Sequence, residues 1–143
     1  MSASGTVIST TTDPFHGAKV AVIWQGCVVT LLRDDRADIP WPGWWDLPGG
    51  GREGHETPWD CVCREAAEEL ALDLTREAPC HSSAHRDAAG RVVWFFVVRP
   101  TVLDVAALRL GDEGQAWQMM PLPQFLTHPR VIPQFQTRLQ PVI

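Results

Sequence analysis

No stretch of this chain comes near the roughly 18 uncharged apolar residues that a membrane-crossing helix requires, so a helical membrane span is not expected. The segment Met1 to Thr12 is rich in Ser and Thr and lacks a basic stretch followed by an apolar run. Residues 1–14 therefore read as a flexible tail and not as a secretion signal. Positive charge is also in short supply. At a net charge of −5 the chain is a poor candidate for a protein that wraps nucleic acid, because such affinity comes from neutralising phosphates. A small phosphorylated ligand stays open, since a bound divalent cation can supply positive charge locally. The four cysteines are Cys27, Cys61, Cys63 and Cys80, and Cys61 and Cys63 stand too close together for the usual zinc knuckle. A zinc site using Cys80, His81 and His85 is a minor alternative. With no leader segment, reduced thiols and a cytoplasmic location are the simplest expectation.

Repeats, low-complexity linkers and shifts of composition are missing as well. A chain of 143 residues has room for one hydrophobic core, so residues 15–143 are expected to form a single domain. Ala18 to Trp24 and Cys27 to Leu32 are apolar, β-branched runs separated by Gln25-Gly26, which predicts a strand, a turn and a strand. The stretch from Pro40 to Pro48 holds too much proline for a helix or a central strand, and Gly49-Gly50-Gly51 frees the backbone to turn sharply or approach a ligand. Arg91 to Arg99 reads as a strand buried on both faces, and Gln115 to Met120 as a further strand. Leu122 to Gln140, interrupted by Pro129 and Pro133, predicts short broken helices. Strands, a helix, strands and then helices suit an α+β fold in which helices cover a mixed sheet.

Thr57-Pro58-Trp59-Asp60 is a helix start: Thr57 can cap, Pro58 suits the first helical position and Asp60 can answer from the third. Trp59, Val62, Cys63, Ala66 and Leu70 share one side at 100° per residue and are the expected buried face. Glu65, Glu68 and Glu69 lie away from that face within about 100° of one another. Three carboxylates so placed repel each other, with Arg64 and solvent to offset them. A solvated acidic surface is one reading of this cluster. The other is a site for a hard divalent cation, because Mg²⁺ takes oxygen ligands and keeps several waters.

The wider spacing favours the second reading. It runs Gly50, five residues, Glu56, seven residues, Arg64-Glu65, apolar Ala66, any residue, Glu68-Glu69, any residue, Ala71 and apolar Leu72. This resembles the Nudix box, Gly-x5-Glu-x7-Arg-Glu-apolar-x-Glu-Glu-x-Gly-apolar, and on that ground the chain is similar to Nudix hydrolases. Ala71 departs from the pattern, where the family has glycine near the end of the helix. The resemblance implies an α/β/α sandwich with a mixed β-sheet and a loop-helix-loop box. It also implies hydrolysis of a nucleoside diphosphate linked to another group, with Mg²⁺ or Mn²⁺ as cofactor. By the same resemblance Glu65 and Glu69 are the principal metal ligands, Glu68 binds directly or through water, and the carbonyl of Gly49 completes the shell. Glu56 and Arg64 pair to hold helix and loop together, and Gly49, Gly50 and Gly51 line the substrate side.

Outside the box, Gly111-Asp112-Glu113-Gly114-Gln115 is either a solvated turn or, by resemblance to members that act on oxidised nucleoside triphosphates, a loop that brings Glu113 to the metal. Glu113 would then serve as ligand or base. The chain has no tyrosine, whereas dinucleoside polyphosphate hydrolases carry one downstream of the box. Asp87-Ala88 stands where ADP-ribose hydrolases often have proline. Trp41 and Trp44 are placed equally well for nucleobase stacking or for plain packing, Trp45 for packing, and His55 for an exposed loop. The expected activity is hydrolysis of a nucleoside di- or triphosphate-type small molecule, with no nucleic-acid polymer and no membrane as partner. The alternatives are an ADP-ribose or nucleotide-sugar pyrophosphatase and a catalytically weak nucleotide-binding regulator.

Overall fold

The structure, a computed structural model, describes residues 14–143. The expected tail over residues 1–14 lies outside the described residues except for Pro14. β1 (Gly17–Trp24) and β2 (Cys27–Leu32) form a hairpin closed by Gln25 and Gly26. Both turn residues have positive φ, 50° and 76°, the conformation that lets a two-residue turn follow the right-handed strand twist. β3 (Trp45–Asp46) pairs with β2, and β4 (Gly49–Gly51) pairs with the first half of β1. β5 (His81–Arg86), β6 (Val92–Val98) and β7 (Ala116–Pro121) complete a seven-stranded sheet. β1 and β6 run parallel and the other named pairs antiparallel, which makes the sheet mixed.

Alternation along the strands divides the core into two layers. Ala18, Val20 and Val22 of β1 point with Phe96 and Val98 of β6 toward α1 (Pro58–Leu70). Ala21 and Ile23 point with Phe95 and Val97 to the opposite face, which α2 (Leu122–Thr127) and α3 (Pro133–Leu139) cover through Phe125, Phe135 and Leu139. Helix, sheet and helices thus form an α/β/α sandwich, and no helix among the described residues is long and apolar enough to cross a membrane. Each such fully buried leucine or phenylalanine contributes roughly 1.5–3 kcal/mol.

α1 starts where the sequence predicts. The Thr57 hydroxyl accepts the Asp60 N–H at 3.1 Å, and Pro58 opens the first turn. Its buried face differs in part from the expectation. Cys61 is fully buried, whereas Trp59 and Cys63 are half-exposed at the flank of the core. The helix ends on Ala71 in the left-handed region, φ 55° and ψ 30°, with its N–H on the Ala67 carbonyl.

Three local outcomes refine the sequence reading. The proline-rich stretch still contributes a two-residue strand, because its prolines flank Trp45-Asp46 and leave both N–H groups free to bond. The triple glycine pairs as a strand while also making a close approach to α1. β5 was not expected from the sequence. Its residues, HSSAHR, are half-exposed or exposed at the sheet edge and carry no apolar alternation.

Candidate active site

The loop that precedes α1 is pinned to it by Arg64. Its guanidinium donates to Glu56 at 2.6 Å and to the Gly51 carbonyl at 2.8 Å. It also reaches Glu65 at 3.0 Å and Glu68 at 3.1 Å. One arginine with five donors in a planar fork is suited to gathering several carboxylates. The Arg64 bond holds the Glu56 carboxyl below its usual range, and Glu56 in turn raises the Arg64 guanidinium. Gly50 lies so close to Glu65 that a Cβ there would fall 2.6 Å from its carboxyl group. A side chain at this position would displace the carboxylate.

Burial pushes the Glu69 carboxyl up to about 7, with Lys19 and the Gly49 N–H acting in the opposite direction. That N–H donates to Glu69 at 2.9 Å. Burial also raises Glu65, which Arg64 counteracts. Lys19 projects from β1 and donates to Asp46 at 2.9 Å and to the Leu47 and Gly49 carbonyls at 3.2 and 3.1 Å. Asp46 is buried and receives Arg33 at 3.0 Å as well. Lys19, Asp46 and Arg33 were not singled out from the sequence. The available signal was Lys19 itself, a charge inside an otherwise apolar strand.

The segment with Asp112 and Glu113 is bonded to the last turn of α1. The Arg109 and Gly111 N–H groups donate to the Leu70 and Glu69 carbonyls at 3.0 and 2.8 Å, satisfying acceptors that a helix C-terminus leaves free. Gly111 must lack a side chain, because a Cβ would fall 2.2 Å from the Glu68 carbonyl oxygen. In consequence Glu65, Glu68, Glu69, Asp112 and Glu113 line one cavity. An adjoining cavity brings Glu69 and Glu113 together with Arg33, Arg36 and Asp46. Both acids of the loop line the first cavity, and of the two Glu113 also lines the adjoining one.

This donor set fits a hard cation. Five carboxylates share one cavity and two of them are disfavoured as anions by burial, an imbalance that a divalent ion offsets. As the side chains stand, Glu65 and Glu68 turn to Arg64 and Glu69 to Gly49. No three His, Cys, Asp or Glu side chains among the described residues already converge as a metal cage. The Gly49 carbonyl is engaged by Lys19 and the Gly51 carbonyl by Arg64.

The two tryptophans part company. Trp44 packs against the core layer under α3, and the Arg130 guanidinium stands 5.2 Å from its ring. Trp41 meets Trp44 edge to face at 4.8 Å, is exposed, and borders a groove that also holds Lys19, Arg33 and Asp46. His55 is exposed on the loop before the helix.

Comparison with known proteins agrees with this architecture. The NUDIX domain pattern matches residues 15–139. The chain is 40% identical over 43 residues to an 8-oxo-dGTP diphosphatase of Proteus vulgaris, a stretch covering 30% of this chain and 38% of that protein. It is 50% identical over 34 residues to a putative 8-oxo-dGTP diphosphatase 3 of Mycobacterium tuberculosis strain H37Rv, covering 24% of this chain and 16% of the relative. The matches therefore span well under half the length of these curated relatives. The crystal structure of a MutT NUDIX hydrolase from Burkholderia pseudomallei is 30% identical, covers 87% of this chain and 98% of its own, and superimposes with a TM-score of 0.61.

Proposed function

The chain belongs to the NUDIX domain family, and on that premise we propose that it hydrolyses a diphosphate linkage in a nucleoside di- or triphosphate-type substrate, with Mg²⁺ or Mn²⁺ as cofactor. Oxidised or otherwise non-standard nucleoside triphosphates are the leading class, supported by similarity to two proteins described as 8-oxo-dGTP diphosphatases. The observation that carries the reading is the meeting of three carboxylates of α1 with Asp112 and Glu113 of a separate segment around one cavity.

Glu65 and Glu69 are the proposed principal metal ligands, with Glu68 and Glu113 completing the set and the Gly49 carbonyl as a further donor. When bound, a divalent cation supplies charge neutralisation at the diphosphate and makes a water acidic enough to attack at neutral pH. Glu56 and Arg64 act as positioning residues, since their pair ties the glycine segment to α1. Arg33 and Arg36, which share a cavity with Glu69 and Glu113, meet the remaining phosphate charge. In the reaction the water oxygen forms a bond to phosphorus and the bridging oxygen leaves with its electron pair. The water proton passes to a carboxylate, for which Glu113 is the proposed acceptor. Trp41 offers its exposed ring to the base. The proposed location is the cytoplasm, where thiols stay reduced.

The test is release of phosphate or pyrophosphate from oxidised and ordinary nucleoside triphosphates, ADP-ribose and a nucleotide sugar, with Mg²⁺ and with chelator. Chelator-sensitive release, fastest from an oxidised triphosphate, is expected. Turnover confined to ADP-ribose or the nucleotide sugar would move the substrate class, and binding without turnover would leave a nucleotide-binding regulator.

A further inference from the structure

On the sheet face opposite α1, the edge strand β5 turns His81, Ser83 and His85 toward one side, as residues two apart on a strand must. The Ser83 hydroxyl lies 3.1 Å from Nε2 of His81 and 2.8 Å from Nε2 of His85. A hydroxyl has one hydrogen, so with neutral rings it donates to one imidazole and accepts N–H from the other. Both rings stand edge-on to Phe95, at 6.2 and 6.3 Å. A cavity separates this row from α3 and the following turn, lined by His81, Ser83, His85, Gln134, Thr137 and Arg138 with Pro141 and Val142.

No Asp or Glu lines the cavity. Arg138 is half-buried and is disfavoured as a cation by burial, which Asp46 and Asp87, sharing a groove with it, do not offset. His85 is held below its usual range by burial first and by Arg138 and His81 after it. A guanidinium, two imidazoles and a hydroxyl thus surround one space without an anion. A transition-metal site does not fit, because no third His, Cys, Asp or Glu joins the two histidines among the described residues.

We propose that the cleft between β5 and α3 is a second, non-catalytic phosphate-binding site in which Arg138 supplies the charge and His81, Ser83 and His85 supply hydrogen-bond donors. Guanidinium groups recognise phosphate oxygens through paired N–H bonds. A bound phosphate also lets an imidazolium form where burial now opposes it, and protonation of the ring that accepts from Ser83 frees the hydroxyl hydrogen for the phosphate. Gln134 and Arg138 additionally line the groove that holds Lys19, Arg33, Trp41 and Asp46, so the site continues from the neighbourhood of the box carboxylates. The phosphate can accordingly be a remote phosphate monoester on the substrate or a free phosphate ion. The first of these sources rests on the hydrolase reading; the site itself does not.

The experiment uses the full chain with chelator, at pH 7 and constant ionic strength, titrated with inorganic phosphate while the imidazole C–H proton resonances are followed. Saturable shifts of His81 and His85, with His16, His55 and His128 unmoved, are expected at concentrations on the order of millimolar. Arg138→Gln should weaken the binding by about tenfold or more, as loss of a charged hydrogen-bonding partner does. Absence of saturable shifts in the unsubstituted protein, or equal affinity in Arg138→Gln, overturns the site. A second arm compares two nucleotide substrates that differ by one phosphate monoester away from the scissile linkage. If Arg138→Gln raises KM only for the one with the extra phosphate and leaves kcat unchanged, the substrate is the source. If both KM values stay put while the titration succeeds, the occupant is free phosphate. If neither nucleotide is hydrolysed, the hydrolase reading fails and the titration still decides the site.

Discussion

Glu69 is the carboxylate on which opposing demands meet. Burial raises its pKa to about 7, and Lys19 and the Gly49 N–H pull it back. Glu69→Gln removes the charge at nearly constant shape, and its amide oxygen can still accept the Gly49 N–H. The fold should therefore persist while turnover at saturating Mg²⁺ falls by about a hundredfold or more, as it does when a group that stabilises developing charge is lost. Steady-state kinetics beside a melting curve measures both, and unchanged turnover would remove Glu69 from the ligand set. The choice between Asp112 and Glu113 belongs here too, since both line the carboxylate cavity. Glu113 also lines the adjoining cavity with Glu69, Arg33 and Arg36, where Asp112 is not found. Glu113→Gln should therefore depress kcat far more than it changes KM, and Asp112→Asn should do little. Equal small effects would make the loop a solvated surface and move the search for the base to Glu56, Glu65 and Glu68.

Among the elements, α1 was legible at both ends because those signals are local, while its buried face was legible only in part. Thr57 and Pro58 mark the start, the apolar period places Val62, Ala66 and Leu70 inside but misses Cys61, and the fixed spacing of Arg64, Glu65, Glu68 and Glu69 carries the resemblance to the Nudix box. The β1–β2 hairpin and β6 were legible for the same reason, as β-branched runs bounded by turn residues. β5 was not, since an edge strand with an open face gains its place from pairing with β6, and HSSAHR carries no periodic record of that pairing. The Lys19–Asp46 contact was hidden too, because it joins residues 27 apart in the chain. The helix end supplies a separate test. Ala71 adopts φ 55°, a region in which a Cβ costs roughly 1–2 kcal/mol and glycine escapes the clash. Ala71→Gly should then stabilise the protein by up to about 1 kcal/mol once the greater freedom of glycine in the unfolded chain is subtracted. For a domain of this size that is a rise in Tm of about 3 °C. A lower Tm would show that the helix runs on through Ala71 in solution.

Taken whole, the molecule holds carboxylates in two opposite electrostatic states, and this has a pH signature. Glu56 is stabilised as an anion by Arg64, so its contribution to stability is present above the usual carboxylate pKa and is lost as pH falls. Glu69 behaves in reverse. Its folded pKa of about 7 lies above the ordinary 4.5, so between these values the folded chain keeps a proton that the unfolded chain has released. The stability this proton provides is complete below pH 4.5 and is lost as pH rises through 7. In chelator, the melting temperature of the unsubstituted protein should fall from pH 6 to pH 8 relative to that of Glu69→Gln, a difference that leaves out the opposite contribution of His85, which both proteins share. With Glu69 as the proposed metal ligand, a divalent cation would reverse the balance, because it would bind the deprotonated carboxylate and have to displace the proton wherever one remains. The increase in Tm produced by saturating Mg²⁺ should accordingly be larger at pH 8 than at pH 6, and binding at pH 6 should release a proton. Melting curves at both pH values, with Mg²⁺ and with chelator, read the difference directly. An equal Mg²⁺ increment at the two values would mean that Glu69 is already ionised without metal, and Lys19 would then be its counter-ion in the folded protein.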